Sequence, residues 1–122
     1  MKTSELTDAA LDWAVATCEG AEYKEGFLFW YDHEGAKRQI KPYPYSTDWG
    51  QGGPIIEREQ INISYCNPAA GWSAQGFRNA KFGPTPLIFR KAKFGPTPLI
   101  AAMRSYVASK LGAEIDVPEG IA

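Results

Sequence analysis

Thr97-Pro98-Leu99-Ile100-Ala101-Ala102-Met103-Arg104-Ser105-Tyr106-Val107-Ala108-Ser109-Lys110-Leu111-Gly112 carries every punctuation mark of a helix. Thr97 can accept a hydrogen bond from the first free amides, and Pro98 suits the first helical position, where its missing N–H costs nothing. Gly112 terminates the segment. Between them Ile100, Met103, Val107 and Leu111 form an apolar stripe with Leu99 and Tyr106 beside it. Arg104, Ser105 and Ser109 are expected on the wet side. This helix needs something apolar to lie on, and the rest of the chain is read for it.

Residues 7–20 supply a matching helix at the other end. Thr7 is the expected cap, Asp8 suits the positive end of the dipole, and Gly20 can close the helix in a left-handed conformation. Leu11, Ala14, Val15 and Cys18 recur at helical spacing, with Trp13 flanking the stripe, and Leu6 is placed to staple onto Leu11. Between the two helices the pattern changes to strands. Phe27–Tyr31 is aromatic and short, Asp32-His33-Glu34-Gly35 turns it, and Ala36–Lys41 returns as a polar partner. Pro42-Tyr43-Pro44-Tyr45 is an extended connection. Ile61, Ile63 and Tyr65 alternate with Asn62, Ser64 and Cys66, and Asn67–Gly71 turns that strand back into Trp72–Phe77. The expected fold is α+β: one domain, 1–122, with a small antiparallel sheet packed by the N-terminal and C-terminal helices. Ala113–Ala122 is expected to be a loosely held acidic tail.

Ala80-Lys81-Phe82-Gly83-Pro84-Thr85-Pro86-Leu87-Ile88 recurs letter for letter as Ala92-Lys93-Phe94-Gly95-Pro96-Thr97-Pro98-Leu99-Ile100. Two copies at an offset of twelve are too short and too few for a solenoid, whose units run to about 20–50 residues. The reading is a tandem duplication, 80–91/92–103, that the fold tolerates. Only the second copy can lead into the last helix. The first either starts a helix at Pro86 or extends through Leu87-Ile88-Phe89 as an edge strand or loop. Residues 77–112 hold seven basic side chains and no acid, whereas residues 1–34 hold eight acids and two lysines. Such asymmetry can steer an anionic partner. Arg78, Lys81, Arg90, Lys91 and Lys93 interleave with Phe77, Phe82, Phe89 and Phe94, a pattern suited to single-stranded nucleic acid.

The 122 residues are 44% hydrophobic and 22% charged, with a formal net charge of −1. This excludes a disordered chain and a strongly basic binder. Glu5, Asp8 and Asp12 interrupt the apolar core a signal peptide would need, and no apolar run approaches the ~20 residues of a membrane span, so a cytoplasmic location is expected. Cys18 and Cys66 have no CxxC spacing and read as free, buried thiols. His33 falls on a turn with no nucleophile in reach, so no catalytic residue, metal site or cofactor is expected.

One segment rises above this background. Tyr45, Thr47, Asp48, Trp49 and Gln51 crowd before Gly52, Gly53 and Pro54, and Glu57 and Arg58 follow. Thr47-Asp48-Trp49 resembles a capped turn, Gly50-Gln51-Gly52-Gly53 reads as irregular, and Pro54 is placed to open a short helix. Glycines let backbone amides approach a ligand, a helix start favours an anion, and tryptophan often anchors interfaces. This is the candidate surface for a ligand or partner.

Lys2–Leu6 with Ala14-Val15-Ala16, then Tyr45–Trp49, Gly52-Gly53-Pro54-Ile55-Ile56-Glu57-Arg58-Glu59 and Gly95–Gly112 together resemble, in order, the NinX-like proteins of lambdoid phages. The likeness spans most of the chain and departs from the family pattern in carrying the Lys-Phe-Gly-Pro-Thr-Pro-Leu-Ile segment twice. It implies a phage accessory protein and brings no activity, cofactor or catalytic residue with it. The expected function is non-catalytic: binding a host or phage macromolecule, or sequestering a small anionic ligand, in host takeover or anti-defence. Nucleic-acid binding through the 77–104 segment and a small enzyme of unassigned reaction are the alternatives.

Overall fold

The computed structural model of the chain describes residues 2–24, 27–32, 35–39, 42–78, 88–89, 92–112 and 114–118. In chain order, a 3₁₀ turn at Thr3–Glu5 precedes α1 (Asp8–Cys18), β1 (Glu22–Lys24), β2 (Phe27–Asp32), β3 (Gly35–Gln39) and α2 (Trp49–Glu59). Then come β4 (Asn62–Asn67), β5 (Gly71–Gln75), β6 (Phe77–Arg78), β7 (Ile88–Phe89), β8 (Lys93–Gly95) and α3 (Pro98–Leu111). All strand pairs are antiparallel, in sheets ordered β1-β2-β3, β4-β5-β8 and β6-β7. The expected α+β class holds, with the strands divided among separate small sheets and β1 added to the predicted hairpin.

The last helix is the hub. α3 packs against α1, α2, β4, β5 and β8. Its Leu99, Ala101, Ala102, Met103, Ser105, Tyr106 and Val107 are all buried, so it is covered on more faces than one stripe provides. Ser105, expected on the wet side, is therefore inside, and Leu111 from the predicted stripe is exposed. Arg104 is half-buried rather than solvated: Nε donates to Leu6 O at 2.9 Å and Nη1 to Phe94 O at 2.7 Å. The small residues explain the crowding. A Cβ on Gly95 would sit 2.7 Å from Ala101 N, so β8 lies on α3 at backbone distance.

α1 buries Leu11, Ala14 and Val15 completely, and Leu6, expected to staple onto Leu11, is fully buried in the same core cluster. Thr7 holds the cap position in extended conformation, yet its side chain makes no capping bond. Gly20, φ +108°, ends the helix as expected. In the second sheet Tyr65 faces Trp72 and Trp72 faces Gly95. The β4–β5 turn is held by Asn67 Oδ1, which accepts from Ala69 N at 2.9 Å and Ala70 N at 2.8 Å.

Four further expectations change. The glycine run is helical: α2 begins at Trp49, five residues before Pro54, because Asp48 caps it and Gly52 is needed for close packing rather than for a turn. Pro54 and Gly50 are both exposed, so solvent can reach the carbonyl that the proline leaves unpaired. The tail is tied down over its described part, since Glu114 bridges Lys2 and both Ile115 and Val117 pack on the core. Cys66 is exposed and Cys18 half-buried, both free. Of the first repeat copy, Ile88–Phe89 is a strand paired with Phe77–Arg78, so a helix does not run through it. The remainder of that copy lies outside the described residues.

Candidate functional site

The Tyr45–Arg58 segment is built around one buried carboxylate. Asp12 of α1 is nearly enclosed, and its Oδ1 accepts from Ser46 N at 2.8 Å, which pins the loop before α2 to the first helix. Burial pushes the Asp12 carboxyl above its ordinary value, although the bond from Ser46 acts the other way. The Tyr45 ring is buried edge-on to Tyr43, and burial pushes its phenol up to about 12. Tyr45 is thus a core residue that stays neutral. Asp48 Oδ1 accepts from Gly50 N at 2.8 Å and satisfies the start of α2.

Gly52 is buried where a Cβ would stand 2.5 Å from Tyr45 O and 2.6 Å from Leu99 Cδ1. This close approach brings the start of α2 against the start of α3. The two starts enclose a shallow cleft of about 200 Å³ lined by Ser46, Thr47, Trp49, Thr97, Leu99 and Ile100. Trp49 is 53% exposed at its rim and Thr47 is exposed beside it. Gln51 and Gly53 are half-buried on the same helix.

Arg58 is not part of that cleft. It lies nine residues further on, about 13 Å along the helix at 1.5 Å per residue. There it grips Glu19 with both guanidinium amines, Nη1 to Oε1 at 3.0 Å and Nη2 to Oε2 at 2.8 Å. Nη2 also donates to the Tyr106 hydroxyl at 3.0 Å, and that hydroxyl donates to Glu19 Oε2 at 2.6 Å. Arg58 Nε meets Glu59 Oε2 at 3.0 Å, and Lys110 Nζ lies 3.6 Å from Glu59 Oε1. Burial pushes Glu19 up, but Arg58 and Tyr106 outweigh it and hold the carboxyl below its ordinary value. The bond to Glu19 raises Arg58 in turn. This cluster ties α1, α2 and α3 together. Glu57 is exposed and outside it.

The predicted set therefore divides: Thr47 and Trp49 face a cleft, Tyr45 and Gly52 support it, and Arg58 serves the junction of the helices. A larger concavity than this cleft lies elsewhere among the described residues and was not legible in the sequence. A groove of about 600 Å³ runs between the Pro68–Gly71 turn, Ala92–Pro96, Ser4 and Arg104. It joins segments between 8 and 100 positions apart along the chain, which no local pattern announces. Of the basic residues proposed for nucleic acid, Lys93 lines this groove; Lys81, Arg90 and Lys91 lie outside the described residues, as does His33, and Arg78 is placed only by its backbone.

Among the described residues no group of three or more His, Cys, Asp or Glu side chains could hold a metal ion. No described helix is long and apolar enough to cross a membrane.

Comparison with curated proteins finds no match. Among solved structures, the 2.0 Å crystal structure of a phage protein from Bacillus cereus ATCC 14579 shares the fold, with a TM-score of 0.56 and 15% identity over 95% of this chain and 93% of that one. At that identity the likeness speaks to architecture alone. The family model described as "Bacteriophage P22, NinX" matches residues 2–110, nearly the whole chain and with it both end helices, the cleft and the groove, and the chain therefore belongs to that phage family.

Proposed function

We propose that this chain is a non-catalytic phage accessory protein that docks a protein partner of the host or phage through the face around Trp49, serving host takeover or anti-defence. The observation that carries the reading is Trp49 itself, more than half exposed at the rim of a cleft between two helix starts. A large aromatic ring left in water is an anchor in search of a pocket. The backing is rigid, because Asp12, Ser46 and Gly52 fix the loop and the helix behind it. A preset surface loses little entropy on docking.

The geometry weighs against the small anionic ligand as occupant of this cleft. Asp48 already places a carboxylate on the amides of α2, and Thr97 Oγ1 accepts from Ile100 N at 3.1 Å at the start of α3. Arg58, the cation the anion would need, is bound to Glu19 and Glu59.

The test is capture from infected-cell extract with the tagged full chain and its Trp49→Ala variant. The variant is expected to melt as the parent does, since an exposed ring holds little of the fold. It is also expected to lose the partner recovered by the parent, with affinity down about thirtyfold for a central tryptophan. Arg58→Ala is the control, expected to lower stability and leave capture intact once folded. Equal recovery of the same partner by Trp49→Ala would overturn the reading.

A further inference from the structure

The groove beside β8 follows the edge of a strand. β8 ends its sheet: it pairs with β5 on one side, and among the described residues no strand lies on the other. Five successive residues, Ala92–Pro96, line the concavity. Successive residues of a strand point to opposite faces, so a concavity that meets all five runs along the edge, for about 16 Å at the usual rise of a strand. Ser4, Arg104 and the Pro68–Gly71 turn complete the lining.

The two faces of that edge differ. Gly95 faces α3, since a Cβ there would stand 2.7 Å from Ala101 N. Lys93, two residues back and opposite the buried Ala74, is on the same side. Arg104 reaches β8 from α3 itself, so both cations of the lining lie on the helix side of the sheet. Phe94 points to the other face, 48% exposed, with only Ser73 beside it on β5. Among the described residues the lining holds no carboxylate. Arg104 spends Nε on Leu6 O and Nη1 on Phe94 O, and Nη2 has no protein acceptor among the described residues. Burial draws this guanidinium below the ordinary arginine value, and no acid pushes it back. Arg58, by contrast, is clamped by Glu19 and Glu59.

An edge with cations on one face and a bare ring on the other suits a guest whose side chains alternate in the same way. We propose that the groove takes an acidic extended segment of a partner protein, laid along β8, its carboxylates toward Lys93 and Arg104 and its intervening apolar side chains toward Phe94. Arg104 already holds Phe94 O, so a guest carboxylate on the guanidinium takes the place of that rung of the ladder. Residues 77–112 hold seven basic side chains and no acid, a field that favours such a guest. The site is independent of the Trp49 face, and neither proposal rests on the other.

The test is a fluorescence-anisotropy titration of the full chain against a labelled eight-residue peptide of alternating Glu and Val, over a series of salt concentrations. Binding that weakens as salt rises is expected. Lys93→Glu should weaken it about tenfold by setting like charges together, and Phe94→Ser about threefold by removing the apolar contact on the other face. Lys93→Gln serves if the charge reversal fails to fold. A peptide of the same composition with its Glu and Val in two blocks should bind distinctly less, because only alternation meets both faces. No binding at low salt, equal affinity in a folded Lys93 or Phe94 variant, or equal binding of the block peptide would each overturn the proposal. Displacement by oligothymidylate as readily as by unlabelled peptide would overturn it too, and would assign the groove to nucleic acid.

Discussion

Two adjacent glycines of α2 are chemically identical and physically opposite. A methyl at Gly52 would enter the space of Tyr45 O and Leu99 Cδ1, one of them backbone that cannot move aside. At Gly53 the nearest atom is Trp49 Cε3 at 4.0 Å, an ordinary contact. Both are helical, so alanine offers each about 1 kcal/mol of propensity. Gly53→Ala should therefore raise the melting temperature, whereas Gly52→Ala should lower it, by about 1–3 kcal/mol from overpacking. Thermal unfolding of the pair decides this directly, and two shifts of the same sign would contradict it. The same positions show what a sequence hides at this scale. A glycine needed for close approach and a glycine needed for a turn are the same letter, which is why residues 50–53 read as irregular. Trp49, by contrast, was legible as a candidate because its cost in water does not depend on knowing its neighbours.

The helices differ in how they start, and the difference is measurable. Thr97 Oγ1 accepts from Ile100 N, while Thr7, in the equivalent position of α1, makes no side-chain cap. Thr97→Ala should cost about 1 kcal/mol and Thr7→Ala distinctly less, measured by urea unfolding of each variant. A larger loss at Thr7 would mean that α1 depends on a contact beyond its cap. Periodicity made α1, α3 and the β4–β5 hairpin readable, because apolar spacing and turn residues are local facts. What made α2 and the Arg58 cluster unreadable is distance along the chain. Glu19 and Tyr106 lie 39 and 48 positions from Arg58, and nothing in the intervening residues announces the meeting. The groove shares this origin, since its turn, strand and arginine converge only after folding. Ser105 shows the complementary failure: a polar letter inside an apolar helix is buried when elements press on more than one side.

At the level of the whole molecule, two carboxylates pull the pH dependence of stability in opposite directions. Asp12 titrates higher in the folded chain than its ordinary 3.8, so its contribution is present below that value and is lost as pH rises through the folded value. Glu19 titrates lower than its ordinary 4.5, so its contribution is complete above 4.5 and is lost as pH falls through the folded value. Urea unfolding between about pH 3 and 7 should show Asp12→Asn gaining more stability with rising pH than the parent, and Glu19→Gln gaining less. Curves that stay parallel to the parent's would contradict the assignment of either group. The two thiols extend this to a way of watching the chain breathe. Cys66 lies open on β4, whereas burial pushes the Cys18 thiol up to about 12 and withdraws it into the core side of α1. A maleimide reagent should therefore mark Cys66 at once and Cys18 far more slowly, because little of its thiol is thiolate. The native protein thus contains its own paired reporter, one position for attaching a dye and another whose alkylation quickens as the end of α1 loosens.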